Sequence, residues 1–191
     1  MMRKLNIAKT ISIIGHPLMI GTMYVIFISF HDLEKETAMI ISASILSIVT
    51  FPIIIHNWIK TRNGSYSNFD VSNQQQRRSF YPFSILLFLI CLIFFYILKF
   101  PDVVILTTLS FLMMLISMSL VNLKVKASLH LAIAMFISAK LFGVAIYLGV
   151  FFLIFSVLIA WSRKYLGRHS LQELTIGSMN GLLFGILSGY F

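Results

Sequence analysis

His169 and Glu173 are the two residues of this chain whose types and spacing best suit chemistry. Four positions apart, they share one stripe of a helix, so the carboxylate can reach the imidazole from the next turn. A carboxylate bonded to one ring nitrogen fixes the tautomer and leaves the other nitrogen to attack. Gly177 and Gly181 continue the stripe at the same interval and would let another helix come close. Piece by piece, the same residues would also suit a plain helix start with interfacial charges and a glycine packing face.

The whole string is more specific than its pieces. Ser162-Arg163, five residues, His169, three residues, Glu173, then Gly177 and Gly181 resembles the third motif of the type-2 phosphatidic-acid-phosphatase superfamily, which includes the vanadium haloperoxidases. The resemblance implies that His169 is a nucleophile, Glu173 its orienting acid and Arg163 a phosphate ligand. Glu stands where the family has Asp. The family's second motif, Pro-Ser-Gly-His at a helix start, is similar to Ala127-Ser128-Leu129-His130. There Ser128 would donate to phosphate and His130 would protonate the leaving oxygen, with helix N–H groups favouring the anion. Leu129 replaces the family's Gly.

The first motif, a Lys followed after six residues by Arg-Pro, has no clean copy. The stretch from Asp70 to Arg78 lies in the right region, and Arg77 or Arg78 would supply its arginine; the other reading of both is anchoring of a span. Lys126 or Lys124 would stand in for the lysine by charge alone. Of the other histidines, His16 precedes Pro17 inside an apolar run and suits a kink with packing or water contact, while His31 and His56 sit near span ends.

These residues must be positioned by helices in lipid. Of 191 residues, 59% are hydrophobic and 11% charged, far below the quarter usual for soluble domains; the mean hydropathy is +0.93. Apolar runs near 7–30, 37–59, 80–98, 103–121, 128–142, 145–161 and 174–190 predict an all-α, polytopic transmembrane bundle of six to seven spans. Open sheets cannot cross lipid, and the runs are too continuous for barrel strands. The expected organisation is a single membrane domain over 1–191, with two N-terminal spans in 1–60 and a phosphatase-like core in 70–181. The first run is too long for the core of a signal peptide.

Charge sets the expected orientation. Arg3, Lys4, Lys9, Lys60, Arg62, Arg77, Arg78, Lys124, Lys126, Arg163, Lys164 and Arg168 fall on one side; Lys35, Lys99 and Lys140 fall on the other, twelve against three. The positive-inside rule places the basic side, and the candidate site with it, in the cytoplasm, and the expected location is a bacterial inner (cell) membrane. The net charge of +9 sits in short loops between apolar runs, which suits lipid headgroups rather than nucleic acid. The single cysteine, Cys91, excludes an intrachain disulfide and a cysteine metal cluster. No histidine and carboxylate spacing suggests a metal site, so neither metal nor cofactor is expected.

The resemblance thus implies a metal-independent hydrolase that removes phosphate from a lipid phosphate monoester or diphosphate, through a phosphohistidine. Phosphatidic acid, phosphatidylglycerophosphate and polyprenyl phosphates all remain open as substrates, with membrane lipids as the other partners. The alternative is a degenerate member that binds lipid phosphate without hydrolysing it, marked by Glu173, Leu129 and the absent first-motif lysine. A transporter or channel would need charge in mid-span, and the spans carry almost none.

Overall fold

The computed structural model describes residues 2–189, in which every regular element is a helix. In chain order these are α1 (Met2–Ile14), α2 (Pro17–Asp32), α3 (Lys35–Arg62), α4 (Arg77–Ile97), α5 (Asp102–Val121), α6 (Leu129–Val144), α7 (Ile146–Tyr165) and α8 (Leu171–Leu187). By length and apolarity α3, α4, α5 and α7 can each cross a membrane, and α1 with α2 makes a fifth span if the bent pair is one broken crossing. The sequence reading expected six to seven; its two remaining runs form α6 and α8, of 16 and 17 residues, against about 20 for a full crossing. Tyr190, placed at the end of the last expected span, lies outside the described residues. Large apolar side chains such as Ile146, Phe151, Leu120 and Ile97 are exposed along these helices, a surface that suits lipid and not water.

Prolines explain two irregularities. Pro17 has no amide hydrogen and its ring crowds the preceding turn, so the first apolar run breaks at Gly15-His16 and restarts with Pro17 in the first helical position. His16 Nδ1 accepts the Leu18 N–H at 3.3 Å, capping the new helix. In α3 a π-helical stretch, Ile45–Thr50, stands just before Pro52; the wider turn accommodates a residue that cannot donate to the ladder.

The chain divides into two compact units. One comprises the residues up to Gly21 and those from Lys124 onward; the other runs from Thr22 to Leu123. In the second unit α4 packs on α5, with Phe88 and Phe111 at 4.7 Å between ring centres, and His56 of α3 stacks on Phe83 of α4 at 4.2 Å. The polar connection 63–76 is tied down by a hydrogen bond between Tyr66 Oη and Ser79 Oγ at 2.9 Å and by the side-chain amides of Gln74 and Asn122, each donating to the other's backbone carbonyl.

In the first unit α6 is the buried element, packed against both α7 and α8. Contact with α8 depends on glycine. A Cβ at Gly177 would meet the Ser128 backbone, one at Gly181 the Ala132 carbonyl, and one at Gly185 the Phe136 backbone. The partners 128, 132 and 136 rise in step with 177, 181 and 185, so the two helices run parallel with their N-termini at the same end.

Candidate functional site

The turn joining α7 to α8 builds the first part of the site. At the end of α7 the Arg168 N–H bonds to the Arg163 carbonyl at 3.0 Å and the Gly167 N–H to the Lys164 carbonyl at 3.0 Å. This paired pattern is a Schellman stop, and Gly167 supplies the left-handed residue it needs, at φ +66°. The chain then passes through His169 to Ser170, the N-cap of α8. Ser170 Oγ accepts the Glu173 N–H, and Glu173 Oε2 accepts the Ser170 N–H, both at 3.2 Å, forming a capping box.

The same Glu173 oxygen bonds His169 Nδ1 at 2.8 Å. The pairing expected from the spacing is therefore present, but its cause differs. His169 precedes the N-cap and is not on the helix; the carboxylate reaches it by folding back over the helix start, not from the next helical turn. The longer acid has a use here, because a glutamate at the third position of a capping box serves the cap and the imidazole together. The His169 side chain is fully buried, so its bond to the carboxylate is little weakened by solvent.

The start of α6 supplies the second part. Ser128 is its N-cap, with its Oγ accepting from the Leu131 N–H at 3.4 Å and its own N–H donating to the Glu173 carbonyl at 3.0 Å. That backbone bond ties the two helix starts together. His130 follows in the first turn, 3% exposed. Lys126 Nζ lies 3.8 Å from Glu173 Oε2. Two parallel helices thus direct their N–H ends and positive dipole ends to one place, an arrangement that favours an anion.

Arg163 occupies the last turn of α7 and is completely buried. Its Nη1 donates to Ser12 Oγ of α1 at 2.8 Å, and the neighbouring Ser162 Oγ donates to the Ala8 carbonyl at 2.7 Å. A buried guanidinium needs such partners to offset the loss of water.

His169, Glu173, Ser128, His130, Lys126 and Arg163 all belong to one unit. Arg77 and Arg78 belong to the other. Arg78 is exposed. Arg77 is buried, and its Nε donates to the Val71 carbonyl at 2.9 Å. Val71 is a β-branched residue at φ +47°, a strained conformation, so this bond secures the turn before α4. Among the described residues no group of three or more His, Cys, Asp or Glu is arranged to hold a metal ion.

Two contributors escaped the sequence reading. Ser170 carries a readable signal, Ser-Leu-Gln-Glu, which is the capping-box pattern. Ser12 carries none: its bond to Arg163 spans 151 positions. Compared with family models, curated proteins and solved structures, the chain finds no match.

Proposed function

We propose that this protein is a membrane-embedded lipid phosphatase working through a phosphohistidine. The observation that carries the reading is the pairing of His169 Nδ1 with Glu173 at 2.8 Å, at the joined starts of two parallel helices. With Nδ1 engaged, Nε2 is the nitrogen that attacks phosphorus. The bond from phosphorus to the lipid oxygen breaks, and His130 gives that oxygen its proton. Water then attacks the phosphohistidine, His130 takes the water's proton, and phosphate leaves His169. Arg163, Ser128, Lys126 and the two helix starts match charge that spreads over the equatorial oxygens in each transition state.

The resemblance to the type-2 phosphatidic-acid-phosphatase superfamily rests on the spacing from Arg163 to Gly181 and on Ser128 with His130. In this reading α6 and α8 complete a seven-span bundle, with α1 and α2 as one broken span. The basic loops and the site face the cytoplasm of a bacterial cell. The substrate is a lipid monophosphate or diphosphate whose tail stays in the bilayer.

The test is phosphate release by the purified protein in detergent, with chelator present, from phosphatidic acid, phosphatidylglycerophosphate and prenyl mono- and diphosphates. Release is expected from at least one, and His169→Ala should abolish it. Appreciable release by folded His169→Ala would overturn the assignment of the nucleophile. A folded wild-type protein that releases phosphate from none of them points instead to lipid-phosphate binding without turnover.

A further inference from the structure

The first apolar run has a second role besides crossing the membrane. Ala8 and Ser12 are the buried residues of α1 and Gly15 is buried just after its end, and each meets α7. The Ala8 carbonyl accepts from Ser162 Oγ, Ser12 Oγ accepts from Arg163, and a Cβ on Gly15 would come within 2.6 Å of the Ile159 side chain. Close approach at Gly15 and two buried hydrogen bonds fix the end of α1 against the helix that carries Arg163. The chain then breaks, and the residue at the break is His16.

His16 is held in turn. Its Nδ1 accepts the Leu18 N–H, which selects the tautomer with hydrogen on Nε2 when the ring is neutral. Its ring stands edge-to-face against the ring of His130, with centroids 5.5 Å apart and planes at 83°. His16 lies outside the motif-like segments between 127 and 181. We propose that His16 is a positioning residue for His130, fixing the plane of its ring so that its proton is delivered to the departing oxygen. The proposal rests on the phosphatase reading above and extends its site to the broken first span.

A residue that acts through the general acid has a distinctive signature. An alkyl oxygen, as in a lipid phosphate, needs a proton to leave; the nitrophenolate of p-nitrophenyl phosphate does not. kcat/KM reports the first irreversible step, in which that proton is given. His16→Asn removes the ring, while its side-chain oxygen can still cap the start of α2, so loss of the ring is separated from loss of the cap.

The experiment compares full-length wild type with His16→Asn in detergent, on p-nitrophenyl phosphate and on the lipid phosphate turned over fastest in the panel. Expected is a fall of about tenfold or more in kcat/KM on the lipid, within the range of general-acid effects. On the nitrophenyl ester the change should be under about threefold, because that step needs no general acid, and inhibition by inorganic phosphate should be unchanged. Equal kcat/KM to wild type on both esters overturns the role of His16, and so does an equal fall on both, which marks a general structural defect. A wild type inactive on both overturns the phosphatase reading itself, a result distinguishable from either of these.

Discussion

Glu173 has three duties: it accepts from the N-cap amide of Ser170, holds His169 Nδ1, and lies 3.8 Å from the Lys126 ammonium. Replacing it with Gln keeps the length and a cap acceptor but removes the charge that favours a growing imidazolium and lets the ring nitrogen choose the wrong tautomer. Glu173→Gln should therefore lower kcat by on the order of hundredfold or more, by analogy with the buried acid of a catalytic triad, with a melting temperature close to wild type. Unchanged kcat would show that the carboxylate only caps the helix. In the proposed mechanism the two histidines must also differ in charge. Attack needs His169 neutral, so the rate should fall as acid protonates it. Delivery of a proton needs His130 charged, so the rate should fall again as base removes it. The rate against pH should be a bell, and a profile flat across both limbs would exclude this division of roles.

At the scale of elements, the site exists because α6 and α8 approach closely enough for backbone to meet backbone. Gly181 faces the Ala132 carbonyl, and a Cβ there would stand 2.6 Å from its carbon. Backbone cannot swing aside as a flexible side chain can, so Gly181→Val should cost about 1–3 kcal/mol, as overpacking does. It should also lower activity in the protein that still folds, because the helix starts would separate. At Gly143 in α6 an added methyl would meet nothing within 4 Å; Gly143→Ala should be neutral or slightly stabilising. Melting curves in detergent compare the two, and equal melting temperatures would contradict the close parallel packing.

For the whole molecule, the prediction concerns which loops face which way. Cys91 is the sole cysteine and is buried, so the wild type gives a quiet background for labelling. In intact cells a membrane-impermeant maleimide should label Lys99→Cys and spare Asn63→Cys, and lysis should expose the second. The reverse pattern would put the basic loop at Asn63 outside.

Much of this protein is local information, and its sequence holds it. Apolar runs specify helices in lipid because backbone groups there must bond within their own segment. The spacing from Arg163 to Gly181 carries the His169–Glu173 pair and the glycine face, since both partners of each contact are near in the chain or repeat every turn. The start of α6 at Ser128 is legible for the same reason. Other features are not local. His169 lies outside the helix because the turn after Gly167 spends its residues on ending one helix and capping the next. Six candidate residues share a unit, while Arg77 and Arg78 fall in the other. Ser12 and His16 reach Arg163 and His130 across more than a hundred positions. Such contacts depend on which helix faces meet, and a face meets its partner only once the tertiary packing has chosen it.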